Sequence, residues 1–209
     1  MGKLVNGVGL NDADYVTQKW DTTGYIDGKQ KLKLVWICPF YRTWTRMLER
    51  CFSGKLKTRQ PTYKDVTCCQ EWLLFSNFKR WMQQQDWEGK QLDKDIIVLG
   101  NKMYSPETCA FVLGVTNGFI TAREAARGEW PLGVCWVNDR QKYRAQCSNP
   151  LTKRLERLGM FTTPEEAHEA WRKRKHELAQ LVAATETDHR VVEALKKRYS
   201  YEEWYGNKA

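Results

Sequence analysis

Residues 131–147 read PLGVCWVNDRQKYRAQC, and this stretch decides the fold of the C-terminal part of the chain. It predicts two short β-strands, at residues 134–137 and 142–147, joined by a polar turn through residues 138–140. A third strand is expected at residues 154–161. Because side chains alternate between the faces of a sheet, one face can pack on a core while the other carries arginine, lysine and glutamine.

The segment that follows, TTPEEAHEAWRKRKHELAQLVAA at residues 162–184, is the clearest helix of the sequence. Thr163 and Glu166 form a capping box, and Pro164 occupies the first helical position, where a backbone N–H is not needed. Apolar residues recur along one face of this helix. The sequence therefore predicts a three-stranded antiparallel sheet packed on one helix, and a last helical pattern follows it.

Helical periodicity also marks two segments of the N-terminal half, residues 38–52 and 69–85. Their inward-facing residues are predicted to be Tyr41, Trp44, Leu48 and Cys51 in the first and Trp72, Phe75, Phe78 and Met82 in the second. Short strands are expected at residues 31–37 and 96–98, and a short helix is expected to end near Gly128.

The predicted fold class is α+β, with a helical, ββα-like N-terminal domain ahead of the three-stranded sheet. Four parts are expected along the chain. They are an arm or small subdomain at residues 1–37, a domain at 38–128, the sheet with its helix at 129–184, and a C-terminal helix and tail at 185–209.

The composition is that of a basic chain that can bury a core. Its 34 Lys and Arg against 25 Asp and Glu give a net charge of +9, the sign expected of a protein that meets phosphate backbones. With 209 residues, 42% of them hydrophobic, most of the chain is not expected to be disordered. It contains no run of 18 apolar residues and no secretory signal, so we expect a cytoplasmic protein without a membrane partner.

Seven cysteines occur without a CxxC pair, and their odd number argues against a complete secreted disulfide framework. Reduced thiols are the first interpretation. The second is a structural zinc site, which would draw four ligands from Cys38, Cys51, Cys69 and Cys109. Because these spacings match no strong zinc motif, Zn²⁺ is not favoured, and the alternative stays open.

The strands and helix of residues 133–178 resemble the AP2 DNA-binding domain, in the version found in phage and bacterial endonuclease-like proteins. The resemblance rests on Gly133-Val134, Tyr143, Ala145, Leu158-Gly159, Phe161, Glu166-Ala167 and Ala170-Trp171. It implies that the helix backs the sheet and that the other face of the sheet enters the major groove of double-stranded DNA.

DNA-contacting roles follow from the resemblance for four residues, Lys142, Arg144, Gln146 and Arg157. Arg144 suits guanine and Gln146 suits adenine, the bidentate pairings that base-edge geometry favours. The chain departs from the family on the first strand, because Cys135 and Val137 stand at outward positions where family members commonly carry arginine.

Residues 38–120, with YRTWTRMLERCF, PTYKDVTCCQEWLLFSNFKRWM and LDKDIIVLGNKMYSPETCAFV, resemble phage HNH-type homing endonuclease relatives that often carry an AP2 module. The resemblance implies a metal-dependent nuclease unit, with Asp93 and Asp95 as candidate Mg²⁺ ligands and Asn101 as a third candidate catalytic residue. No histidine occurs before His168, so the expected general base is absent. Either another group activates water, or the unit is a DNA-gripping scaffold without activity.

The resemblances together imply a phage-encoded DNA-binding protein, derived from an HNH/AP2 homing endonuclease, in the cytoplasm of an infected bacterial host. An active Mg²⁺-dependent endonuclease or nickase is the alternative. A further alternative is a non-enzymatic interaction protein that contacts a host protein through the aromatic tail SYEEWYG, residues 200–206.

Overall fold

The computed structural model of the chain describes residues 4–121 and 129–202. Within these ranges it is mixed α+β, with six α-helices, three two-stranded sheets and one three-stranded antiparallel sheet. The predicted α+β class is therefore confirmed.

The bounds of the elements are as follows in chain order: β1 (Gln18–Ile26), β2 (Lys29–Ile37), α1 (Pro39–Phe52), α2 (Gly54–Arg59), β3 (Thr67–Cys68), α3 (Phe75–Gln83), β4 (Gln91–Asp93), β5 (Met103–Tyr104), β6 (Ala110–Val112), α4 (Gly114–Ile120), β7 (Val134–Val137), β8 (Lys142–Ser148), β9 (Leu155–Phe161), α5 (Pro164–Ala183) and α6 (His189–Lys197). Single turns of 3-10 helix cover Pro61–Tyr63 and Gln70–Leu73.

The chain divides into two compact units that do not follow one another in sequence. The N-terminal unit contains the residues up to Trp87 together with Val98–Cys109, and the C-terminal unit contains Glu88–Ile97 and the residues from Ala110 onward. This division runs inside the segment 38–128, and the four-part division expected from the sequence stays a prediction.

The N-terminal unit begins with a long two-stranded antiparallel ribbon, β1 and β2. Asp27 and Gly28 connect the strands with φ angles of 49° and 73°, and a two-residue turn with two positive φ angles matches the twist of a hairpin. The sequence indicated the second strand of this ribbon at residues 31–37, and the first strand was not predicted.

The core of the N-terminal unit forms between α1, α3 and the 3-10 turn at Gln70–Leu73. Every residue predicted to face inward on the two helical segments is buried, so both faces are confirmed. Trp44 and Trp72 lie at the centre, where the indole N–H of Trp44 donates to the carbonyl oxygen of Trp72 at 2.6 Å. Beside this core β3 runs parallel to β5.

In the C-terminal unit, helix α5 packs against both α6 and the β7–β8–β9 sheet. Helix α4 and the β4–β6 pair contribute to the same core. Its buried cluster includes Cys147 from the sheet, Trp171 and Leu178 from α5, and Leu195 from α6. Lys175 of α5 contacts Phe119 at the end of α4. Its ammonium donates to the carbonyl oxygen of Phe119 at 3.2 Å and lies 3.5 Å from the centre of the Phe119 ring.

The predicted strand at residues 96–98 is wrong, because the strand in this region is β4, which ends at Asp93. A carboxylate oxygen of Asp93 accepts hydrogen bonds from the backbone N–H groups of Asp95 at 2.9 Å and Ile96 at 2.7 Å. These hydrogen bonds close a turn. Ile96 is therefore a buried residue of a bend, and it does not belong to a strand. The short helix is α4, and its predicted end near Gly128 lies outside the described residues.

Candidate nucleic-acid interface

The three-stranded sheet has β8 at its centre, with β7 and β9 antiparallel on either side. The strands agree with the predicted ones to within one residue at each end. Ala145 and Cys147 of β8 are buried, which fixes the side of the sheet that faces the core. Helix α5 covers this side and begins with the predicted capping box, in which Thr163 and Glu166 satisfy each other's backbone N–H groups.

A close contact between Gly133 and Trp171 joins the start of β7 to α5. Gly133 has a φ of +79°, and a Cβ atom built on it would lie 1.9 Å from Cδ1 of the Trp171 ring. The Trp171 ring is buried, and it stacks on His168 with 5.2 Å between ring centres. A ring nitrogen of His168 is in turn 2.9 Å from the carbonyl oxygen of Leu132. Helix α5 and the segment before β7 are therefore joined both by the Gly133–Trp171 contact and by His168.

An ion pair joins β9 to α5 on the same side of the sheet. The guanidinium of Arg174 donates to Glu156 at 2.7 Å, and the side-chain amide of Asn149 donates to the same carboxylate at 2.7 Å. These hydrogen bonds, that from Arg174 first, hold the pKa of Glu156 below its usual value. Asn149 also accepts backbone N–H groups of the loop between β8 and β9, which shapes that loop.

The opposite face of the sheet carries the four residues predicted to contact DNA. On β8, Lys142, Arg144 and Gln146 alternate with the buried Ala145 and Cys147, so they point away from α5. Arg157 of β9 pairs directly with Gln146 and therefore lies on the same face. The structure brings these four side chains together on one surface, which we call the outer face.

The pairing of Gln146 with Arg157 depends on an irregularity in β9. Ala145 pairs with Gly159, whereas the next residue of β8, Gln146, pairs with Arg157, so that Leu158 is an extra residue. Leu158 packs against the buried cluster of the C-terminal unit. The β-bulge thus sends Leu158 to the core and keeps Arg157 on the outer face.

A concavity of about 790 Å³ opens over the outer face. We call it the basic groove, and it is lined by Val137, Asp139, Arg140, Lys142, Arg144, Arg157, Gly159 and Met160. The lining thus contains four cationic side chains and one carboxylate, that of Asp139. The Asp139 carboxylate forms an exposed ion pair with Arg140 at 3.6 Å. Gln146 lies on the same face of the sheet but does not line the concavity.

The surroundings of Arg144 are mixed. It pairs across the sheet with Cys135 on one side and Met160 on the other, and the Cys135 thiol lies 3.8 Å from its carbonyl oxygen. Within the part of the chain that the structure describes, its buried Nε atom has no hydrogen-bond partner. A buried N–H group without a partner costs about 1–3 kcal/mol.

Arg140, Met160 and Val137 were not predicted as binding residues, although the sequence carries a signal for Met160 and for Val137. Met160 alternates with the inward Gly159 and pairs with Arg144, so the strand pattern alone would have assigned it to the outer face. Val137 pairs with Lys142, which confirms the outward position that the sequence indicated for it. Arg140 belongs to the predicted turn, whose side chains have no periodic pattern.

The three candidate catalytic residues have local hydrogen-bond partners. Asp93 closes the turn described above, and Asp95 forms an ion pair with the buried Lys94 at 2.9 Å. Burial, and then the charge of Asp95, raises the pKa of Asp93. Asn101 belongs to the other unit, and its amide donates to the carbonyl oxygen of Met103 at 2.7 Å.

These contacts favour a structural role for both aspartates, and a Mg²⁺ site at Asp93 and Asp95 stays a prediction. Among the described residues, no cluster of three or more His, Cys, Asp or Glu side chains could hold a metal ion.

The cysteines are all free thiols. Cys51 shares a hydrogen bond with Cys68, and this bond together with burial raises the pKa of Cys51. Cys38 is instead 3.9 Å from the hydroxyl of Tyr15, and burial raises the pKa of Cys69 to about 11. Among the four cysteines of the alternative zinc site, Cys109 lies close enough to Cys51 for its charge to act on it, and the zinc site stays a prediction.

No family model, no curated protein and no solved structure matches the chain. Within residues 4–121 and 129–202, none of the helices has both the length and the apolar character that are needed to cross a bilayer.

Proposed function

We propose that the chain is a phage-encoded protein, derived from an HNH/AP2 homing endonuclease, that binds double-stranded DNA in the cytoplasm of an infected bacterial host. Its C-terminal sheet and α5 would form an AP2-like module, with the outer face against the major groove. The single observation that carries the proposal is the basic groove on the face turned away from α5.

The groove offers the two kinds of contact that DNA recognition requires. Lys142, Arg144 and Arg157 provide positive charge for phosphates and donors for base edges. Val137 and Met160 line the same groove and offer apolar contact, which suits the methyl group of thymine. The major groove is about 12 Å wide and accepts a two-stranded β-ribbon, so β8 and β9 are of suitable size.

The packing of the sheet against α5 supports the same function. Side chains that read base edges must be held in register, and here α5 fixes the sheet from behind through the Gly133–Trp171 contact and the Glu156–Arg174 ion pair.

The test is a comparison of duplex binding by Arg144→Ala and Lys173→Ala. Lys173 is an exposed cation on α5, the element behind the sheet, so its replacement removes the same charge away from the groove. DNA would first be selected from a random pool, and the dissociation constant of each variant would then be measured by fluorescence anisotropy over a range of salt concentrations.

We expect Arg144→Ala to weaken binding to the selected site by about 1–3 kcal/mol and to relax its sequence preference. Lys173→Ala should leave both properties unchanged. Affinity should fall steeply with salt, because each neutralised phosphate releases a counterion. The proposal would be contradicted if the two variants lost the same amount of DNA affinity, or if the affinity did not change with salt concentration.

A further inference from the structure

The ribbon formed by β1 and β2 has two chemically different faces. Cross-strand pairing puts Trp20 opposite Leu34 and Tyr25 opposite Gln30, whereas Asp21 is opposite Lys33 on the other face. We call the first the apolar face, and its apolar members are Trp20, Tyr25, Leu32 and Leu34. We call the second the lysine face, and its cations are Lys19, Lys29, Lys31 and Lys33; Trp36, which pairs with Lys19, lies on it as well.

The apolar face is open to solvent. Trp20 is 51% exposed, Tyr25 67% and Leu32 53%, and every residue of β2 before Ile37 is exposed. In the described part of the chain, β1 and β2 pair only with each other, so the sheet does not extend beyond two strands. A two-stranded hairpin of this kind is only marginally stable in water, which makes a covering partner favourable.

The distribution of charge selects the kind of partner. Nucleic acid binds best where cations and aromatic rings share one surface, because phosphates and bases are then met together. Among the residues that the structure describes, the apolar face carries no lysine, and its remaining side chains are Thr22 and Gln30, whereas Trp36 lies with Lys19 on the lysine face, 5.8 Å from the ammonium to the centre of the ring. A partner that covers the apolar face must therefore itself present a flat, apolar surface. The apolar face of a second copy of this chain is such a surface.

We infer that the apolar face of the β1–β2 ribbon is the contact through which two copies of this chain form a symmetric dimer. In such a dimer the two ribbons stack face to face, about 10 Å apart, with both lysine faces directed to solvent. The like charges then stay hydrated and separated. This inference does not depend on the proposed DNA binding.

The area of the ribbon fits a weak to moderate dimer. From their exposed fractions, the four apolar side chains present roughly 400 Å² to solvent, which is within the range of about 300–600 Å² for the largest apolar patch on a monomer. Two such faces with the flanking Thr22 and Gln30 bury about 1,000 Å² in total, which is the lower limit for a specific interface.

The test measures molecular mass against concentration by sedimentation equilibrium, for nuclease-treated protein in high salt so that no DNA bridges two chains. Two double variants change neighbouring positions of β2 on opposite faces: Leu32→Ser with Leu34→Ser on the apolar face, and Lys31→Ser with Lys33→Ser on the lysine face. Near-ultraviolet circular dichroism checks that both variants keep the folded core of the N-terminal unit.

Wild-type protein should reach the dimer mass in the micromolar range. The leucine variant should raise the dissociation constant by at least about 100-fold, and the lysine variant should leave it unchanged or lower it. The inference is overturned if the wild type stays monomeric at several hundred micromolar, or if both variants dissociate equally. Loss of DNA affinity in the lysine variant, together with a monomeric wild type, would instead identify the ribbon as a nucleic-acid arm.

Discussion

Replacement of Gly133 by alanine tests whether the sheet is held in place by its contact with α5. Two costs add at this position. A φ of +79° is unfavourable for alanine by about 1 kcal/mol. The new methyl group would also lie 1.9 Å from Trp171, whose ring is fixed by His168 and Tyr199, so overpacking adds about 2–3 kcal/mol.

The assay is urea and thermal unfolding of the full chain, followed by tryptophan fluorescence and circular dichroism. Gly133→Ala should lose about 3–4 kcal/mol of unfolding free energy, which lowers the Tm by roughly 10 °C. Gly89→Ala is the matched control, since Gly89 belongs to the same unit and has a φ of +72°, but a Cβ atom there would meet nothing within 4 Å. It should lose only about 1 kcal/mol. Equal losses in the two variants would refute the argument that the Trp171 contact fixes the sheet.

Four other outcomes are expected. Burial lowers the pKa of Lys175 from 10.5 to about 8, so folding releases a proton between these pH values, and stability should rise by about 3 kcal/mol from pH 8 to pH 10.5. Urea unfolding of Lys175→Met should lack this rise, and a rise of equal size in the variant would exclude Lys175 as its source. Thr163→Ala should lose about 1 kcal/mol of stability through the capping box, as measured by the urea midpoint. Asp93→Ala should lose about 1–3 kcal/mol with or without Mg²⁺, because two backbone N–H groups lose their acceptor; Mg²⁺-dependent plasmid nicking that is lost in this variant would favour the nuclease alternative. If the chain both binds DNA and dimerises, selection from random duplexes should yield sites with two-fold symmetry, and asymmetric sites bound by one copy would argue against a dimer on DNA.

Features set by local chemistry could be predicted from the sequence. The capping box of α5 needs only Thr163 and Glu166 at the right spacing, and it formed as expected. The buried faces of α1 and α3 follow from a period of 3.6 residues and were also correct. The outward positions of Lys142 and Arg144 follow from strand alternation beside the small, apolar Ala145.

Features set by tertiary context could not be predicted in this way. An apolar run such as residues 96–98 is compatible with a buried strand or a buried bend, and the carboxylate of Asp93 decides between them. Strand β1 was missed because QKWDTTGYI has no regular alternation, and the extra residue Thr23 interrupts its pairing between Thr22 and Gly24. The exposure of the ribbon's apolar face has no counterpart in the sequence pattern, which would favour burial.

The bulge at Leu158 shows how one irregular residue decides the chemistry of both faces of the sheet. Continued regular pairing from Ala145 and Gly159 would put Arg157 opposite Cys147, on the side that α5 covers, and would bury a cation in the core. With Leu158 as the extra residue, Arg157 instead pairs with Gln146 on the outer face. Glu156 then lies opposite Cys147, on the side of α5, where Arg174 neutralises it. One inserted residue therefore gives the groove an arginine and the helix a salt-bridge partner, because a shift of one position exchanges the faces of all the residues that follow.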